Sequence, residues 1–325
     1  MSDATVSPPA AARWRPAMVG LGLLCALAVV PLVAEVYGGA YLTSLAVRAM
    51  ILATIAISLD FLIGRCGLVS FGHSAFVAIG AYATGILIEN GTYDLPTILL
   101  TALASAALFA AVSGAISLRT SGVYFIMITL AFGQMVFFAL GSLSRYGADD
   151  GLTLWFSPEI FGSDALMASD AGLYLVVLGL LVVTWVGADR LAGARFGRVL
   201  QAARQNPTRV ETMGYSVFSY RLTAYVIAGI VAALAGVLWA SHAQFISPAL
   251  ASWQRSGDLI AMVVLGGIGS RNGALVGAVF FVVLEEVLST ITHDWRLIFG
   301  PLLVVVALYA RGGLADILDR IGQKR

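Results

Sequence analysis

The chain has 325 residues, 59% hydrophobic and 11% charged, with a net charge of +1. Soluble domains carry about 25% charged residues, so this chain lacks the polar surface to face water all round, and its near-neutral balance excludes a basic nucleic-acid footprint. Its only lysine is Lys324, which excludes a P-loop lysine beside phosphates and a Schiff-base lysine within the fold; if ATP drives this protein, another chain hydrolyses it.

Residues 1–16 form a short polar N-terminal tail, with Arg13 and Arg15 ahead of the first apolar run. No small-residue cleavage site follows that run, so it reads as a retained helix and not a signal peptide. Ten apolar segments are then predicted, at 17–37, 45–64, 67–88, 96–118, 122–143, 172–187, 220–241, 257–269, 273–289 and 297–310. Several reach the roughly 20 residues that cross a bilayer. The eighth is short enough for a half-helix or a re-entrant piece. The expected fold is all-α: a polytopic helical bundle of about ten spans over 17–310, with two related halves and broken or short helices, ending in a tail at 311–325. Cys25 and Cys66 fall in or beside apolar spans and show no metal or disulfide spacing.

Segment 67–87, GLVSFGHSAFVAIGAYATGIL, is the one the rest is organised around. Gly67, Ser70, Gly72, His73 and Ser74 lead into an apolar helix. Such irregular backbone is tolerated at membrane depth only where protein or a water-filled cavity covers it. His73 taken alone reads as a hydrogen-bonding group in a packing seam. Segment 262–283, MVVLGGIGSRNGALVGAVFFVV, echoes this pattern, and its Gly269, Gly273 and Gly277 recur every four residues as a close-packing seam. Asp60, Glu285 and Glu286 sit in or near apolar runs, where a charge is costly unless paired. Neighbours on a helix point in different directions, so one of Glu285 and Glu286 is expected inside and the other toward the interface. Structural hydrogen bonding is favoured for them over a proton relay. His73, His242 and His293 lie on separate segments and support neither a triad nor a metal site.

Two long loops remain. Loop 144–171 carries Asp149, Asp150, Glu159, Asp164 and Asp170 against Arg145 alone. It is either a solvated loop or a docking surface for a soluble partner. Loop 188–219 is basic, and Asn206-Pro207 reads as an N-cap with proline at the first helical position. Gly214 reads as a helix-ending glycine, which predicts a short helix over 207–213 outside the membrane. With ten spans, fifteen of the 19 Lys and Arg residues fall on the side of loop 188–219 and both termini. The positive-inside rule places that side in the cytoplasm.

SFGHSAFVAIGAY at 70–82, GVYFIMITLAFGQ at 122–134, the loop 195–214, FISP at 245–248 and MVVLGGIGS at 262–270 occur in this order. They resemble the signature blocks of permease subunits of branched-chain amino acid ABC importers, the M-type subunit more than its H-type partner. The pattern departs at 146–152, YGADDGL, where Thr-Gly-Gly is usual, and after Asn206, where an acidic residue is usual. The resemblance implies a bacterial inner-membrane, multi-pass permease with both termini cytoplasmic and no enzymatic activity or cofactor of its own. It implies a paired H-type permease, two cytoplasmic ATPase subunits that use ATP and Mg, and an extracytoplasmic substrate-binding protein. It marks Ser70, Gly72, His73, Ser74, Thr129, Gly266 and Gly267 as candidate translocation-path residues. It marks Arg204, Asn206, Pro207, Arg209, Val210, Glu211, Met213 and Gly214 as the element coupling to the ATPases, with Val210 and Met213 on one docking face. Branched-chain amino acids lead as substrate, with urea, short amides and aromatic acids as alternatives. A single-chain secondary transporter or channel is the reading from another class, since paired halves with broken helices occur there too.

Overall fold

The computed structural model describes residues 11–37, 39–159, 167, 169–291, 294–309 and 313–314. The apolar runs become α1 (Ala11–Tyr37), α2 (Ala40–Asp60), α3 (His73–Glu89), α4 (Leu95–Ser117), α5 (Val123–Gly141), α6 (Asp170–Gly193), α9 (Val217–Ala243), α10 (Trp253–Gly266), α11 (Gly273–Ile291) and α12 (Trp295–Tyr309). These ten coincide, within a few residues, with the ten predicted segments. Two further helices, α7 (Arg195–Gln205) and α8 (Pro207–Thr212), lie on loop 188–219. Six of the helices are long and apolar enough to cross a membrane, while α3 and the apolar stretch of α1 are shorter. The molecule is an all-α polytopic membrane bundle. Residues 11–16 of the predicted N-terminal tail belong to α1; residues 1–10, most of the predicted tail at 311–325, and Asp164, His293 and Lys324 lie outside the described residues.

Local signals set the helix starts. Asp94 caps α4, its carboxylate accepting from the Thr97 amide (3.2 Å) and hydroxyl (2.6 Å), with Pro96 in the first turn. Ser169 caps α6 through the Gly172 amide at 3.1 Å. A side-chain oxygen there satisfies an amide that has no partner within the helix.

Burial ranks the helices. The apolar stretch of α2 is 89% buried, against 28% for α4 and 17% for α5. So α2 is the axis of the bundle, and α4 and α5 present apolar faces outward. Against α2 pack α1, α6, α9, α10 and α11. The α3–α9 crossing is closed by glycines: a Cβ on Gly80 would strike the Ala233 carbonyl, and one on Gly236 the Val77 carbonyl. In lipid, association rests on such close backbone approach.

Two helices are broken at depth. α2 runs on as a π-helical turn, Phe61–Cys66, and Gly67 then turns left-handed (φ 70°). An irregular segment, 67–72, leads into α3. Likewise α9 ends at Gln244, also left-handed (φ 49°), and 245–252 leads into α10. The structure keeps the echo of 67–87 in 262–283, with left-handed Gly267 and Gly269 leading into α11, and it apposes the start of α3 with the start of α10. It also corrects the glycine seam. Gly269 is in the turn between α10 and α11 with φ 71°, not on a helix face with Gly273 and Gly277.

One element has no counterpart in the sequence reading. β1 (Leu152–Thr153) pairs antiparallel with β2 (Phe245–Ile246), Leu152 opposite Ile246. This ladder ties loop 144–171 to the break between α9 and α10, and the Leu154 amide donates a hydrogen bond to the Gln244 carbonyl at 2.8 Å.

Candidate functional site

The two breaks meet. The Ser74 hydroxyl, in the first turn of α3, donates to the Ser252 carbonyl (3.0 Å) and lies 2.7 Å from the Ser256 hydroxyl. The Ser74 amide donates to Ser256 Oγ at 3.2 Å. α5 covers the other flank: the Phe71 amide donates to Thr129 Oγ1 (3.2 Å), and a Cβ on Gly72 would strike the Thr129 carbonyl. His73 is fully buried, its Nε2 2.9 Å from Ser58 Oγ and its ring edge-on to Phe76 at 5.8 Å. The cover that irregular intramembrane backbone requires is thus supplied by hydroxyls from other elements.

Of the residues marked for a path, the structure brings Gly72, His73, Ser74 and Thr129 into one layer, with Ser70 at 0% exposure beside it. Gly266 and Gly267 lie elsewhere, where α10 turns into α11. All of the clustered side chains are buried. A small cavity of about 30 Å³ adjoins Ser74, walled by Leu52, Ile55, Val77, Leu259 and Met262 and edged by Arg255 and Asp258. Arg255 falls between the predicted segments 220–241 and 257–269, and Asp258 falls at the start of the second. Both are half-buried in the first turns of α10, and Arg255 stacks 5.9 Å from the Trp239 ring. Their spacing of three beside an apolar run was the available signal, because it puts two charges on one helix face.

The intramembrane acids are engaged. Asp60 Oδ1 accepts the Gly269 amide at 2.7 Å. Glu285 pairs with Arg48 at 2.6 Å. Glu286 accepts from the Tyr41 hydroxyl. Glu285 and Glu286 both reach α2, but at different depths: Glu285 meets Arg48 in a part-buried contact, and Glu286 meets Tyr41, which is 60% exposed in the first turn of α2, in line with the expected division into one interior and one interfacial residue.

The second candidate element is the helix pair outside the bundle. Asn206 caps α8, its Oδ1 accepting the Arg209 amide at 3.0 Å, and Pro207 takes the first helical position. Gly214 ends the unit left-handed (φ 87°), and the Tyr215 amide returns to the Val210 carbonyl at 3.3 Å. The expected docking face is corrected here. Val210 is 4% exposed and closes a small separate core with Val199, Ala203 and Val217, whereas Met213 is 71% exposed. Three residues apart does not mean one face here, because Met213 already lies past the last turn of α8. Arg209 and Glu211 are exposed and Pro207 lies at the surface. Arg204 turns the other way, its guanidinium donating to the Gly64 carbonyl.

A family described as "Branched-chain amino acid transport system / permease component" matches residues 41–308. The chain is 29% identical over 296 residues to the high-affinity branched-chain amino acid transport system permease protein LivM of Escherichia coli K12, covering 83% of this chain and 69% of that one. It is 30% identical over 258 residues to the autoinducer 2 import system permease protein LsrC of Enterobacter sp. strain 638, covering 75% and 71%. A probable LivM of Methanocaldococcus jannaschii is 25% identical over 154 residues, 43% and 45% of the two chains. No solved structure matches the chain.

Proposed function

This chain belongs to the branched-chain amino acid transport permease family, and we propose that it is the M-type permease subunit of an ABC importer for branched-chain amino acids. It works with an H-type permease, two ATPase subunits that bind ATP and Mg, and an extracytoplasmic binding protein. The end of the bundle bearing α7 and α8 faces the cytoplasm of a bacterial inner membrane, with both termini on that side. Loop 144–171, with Trp155 82% and Phe156 61% exposed, faces the binding protein. The substrate route passes the Ser74–Ser256 contact as the broken helices part.

One observation carries this reading: the α7–α8 pair is a folded unit, in which Val199, Ala203 and Val210 close a small core against Val217 of α9, and Asn206 and Gly214 bound α8. A connecting loop needs neither. A rigid unit outside the bundle, with Met213 projecting from its tip, can take force from an ATPase and hand it on.

The relatives include permeases named for autoinducer 2, so the substrate is chosen by test. The complex, reconstituted with its co-encoded partners, is assayed for ATP-driven uptake of leucine, urea, short amides and aromatic acids. Leucine uptake that depends on both ATP and the binding protein is expected. Ion-gradient uptake by this chain alone would replace the reading with a secondary transporter. Against that alternative, Asp60, Glu285 and Glu286 are each committed to a structural partner, and intramembrane ion coupling needs carboxylates that can bind and release.

A further inference from the structure

We propose that Arg204 and Asp60 are positioning residues that relay movement of the α7–α8 pair, through the π-turn at the foot of α2, to the α10–α11 hairpin. The inference rests on the importer reading above.

The turn Phe61–Cys66 is a joint with two ties. On one side, Arg204 from the last turn of α7 donates to the Gly64 carbonyl. Its aliphatic stem lies on Gly67, where a Cβ would come within 3.0 Å of Arg204 Cγ. The π-turn makes that carbonyl reachable: the Gly67 and Leu68 amides return to the Ile63 and Leu62 carbonyls, so the helix closes without using Gly64. Single π-turns inside α-helices recur at functional sites. On the other side, one turn back, the Asp60 carboxylate holds the Gly269 amide at 2.7 Å. Gly64 packs directly on the same residue, and a Cβ on Gly64 would lie 2.5 Å from the Gly269 Cα.

Past that contact the α10–α11 hairpin is stiff. A Cβ on Gly277 would strike the Met262 carbonyl, and one on Gly266 the Gly273 carbonyl. Gly64 is thus held by its carbonyl to the outer helix pair and by its Cα to the hairpin. The hairpin carries Asp258 and Ser256 at its far end, beside Ser74. A displacement of α7 therefore reaches the layer where the two broken helices meet. The parallel tie, Arg271 to Asp189 at 3.0 Å, starts from α6 and not from the α7–α8 pair, so it stands outside the relay.

The test uses the whole reconstituted complex with Cys25, the exposed native thiol, changed to Ser. Spin labels go at Met213→Cys and Ile268→Cys, 71% and 48% exposed in the native chain. Distances are measured without nucleotide and after vanadate trapping. With the relay intact the two labels move together and their separation is held. Asp60→Leu and Arg204→Met are expected to let the separation change and to lower substrate moved per ATP about tenfold, with ATPase activity retained. Arg204→Lys, which keeps a donor, should recover most of the ratio, and Asp189→Asn should leave it unchanged.

A wild-type transport ratio in Asp60→Leu or Arg204→Met overturns the proposal. So does an unmodified separation that shifts between states by more than about 5 Å, a measurement that decides even if both variants fail to assemble. Failure of ATP-driven uptake by the unmodified complex is a different result, because it strikes the importer reading and not the relay.

Discussion

Val210→Asp and Met213→Asp, three residues apart, should fail in different ways. Val210 is 4% exposed in a core whose other buried members are Val199, Ala203 and Val217. Burying a valine contributes about 1.5–3 kcal/mol, so that core supplies on the order of 6 kcal/mol in all. Asp at 210 removes one valine's share and adds an unpaired carboxylate costing several kcal/mol more. The sum takes most of what holds α8 in place, so α8 should detach while the ten bundle helices, which belong to a separate core, remain. Met213, 71% exposed, contributes little to the isolated chain, and Asp there should shift local stability by no more than about 0.5 kcal/mol. If its side chain is buried on docking, losing about 1.5–3 kcal/mol weakens ATPase binding about 10- to 150-fold. Limited trypsin digestion of membranes reads the first effect, since Arg198, Arg204 and Arg209 lie in the affected stretch. ATPase pull-down and coupled transport read the second. The reasoning fails if Val210→Asp is as trypsin-resistant as the native chain, or if Met213→Asp binds and couples normally.

Gly277→Ala as well as Gly277→Leu should lose assembly, because even a Cβ would strike the Met262 carbonyl and lie 2.7 Å from the Gly266 amide nitrogen; overpacking of this kind costs about 1–3 kcal/mol or more, and Gly179→Ala, with nothing near, is the control in a detergent melting assay. Arg48→Met leaves half-buried Glu285 without its partner and should destabilise by roughly 1–3 kcal/mol after allowance for exposure, with the double change to Met at both positions recovering most of it; a double-mutant cycle in Tm checks this. Gly214→Val should cost about 1–2 kcal/mol from its left-handed backbone alone, since nothing crowds the position, and Gly214→Asn should cost less; hydrogen exchange of the Tyr215 amide reports the difference.

The helices were legible because length and apolar run decide them, and loop 188–219 was legible because Asn206, Pro207 and Gly214 act through local backbone chemistry. What was not legible depended on three-dimensional pairing. The ladder of Leu152 with Ile246 is two residues long on each side, too short for any alternation to show. The echo of 67–87 in 262–283 is structural, with left-handed glycines leading into α3 in one and α11 in the other, but the apposition of Ser74 with Ser256 depends on where α9 stops. Gln244 stops it in a left-handed conformation with no glycine to signal it. Val210 was assigned to the wrong partner because spacing gives a face and not what the face meets. Arg255 and Asp258 were missed because a charge near the end of an apolar run looks like a loop until the helix is seen to begin at depth.

The serine layer joins fold to transport on the proposed reading. An intramembrane break exposes amides and carbonyls that lipid cannot satisfy. Here each break is sealed by the other's side chains: Ser74 takes the Ser252 carbonyl, and Ser256 takes the Ser74 amide. The seal is reciprocal, so neither break is stable at depth without its partner, and the two halves specify each other's position. The same economy implies how a route would open. Parting α3 from α10 frees two hydroxyls, an amide and a carbonyl at one level, beside Arg255 and Asp258, where a polar solute needs partners. Closing returns those groups to each other and leaves no polar surface behind. Ser74→Ala should therefore harm the closed state first: it removes the hydroxyl donor to the half-buried Ser252 carbonyl and leaves that acceptor only the Ser256 amide at 3.4 Å, a cost of about 1 kcal/mol. The expected result is leak or ATP turnover without substrate in reconstituted vesicles, with Ser74→Thr largely normal. Tight, fully coupled transport by Ser74→Ala would place the seal elsewhere.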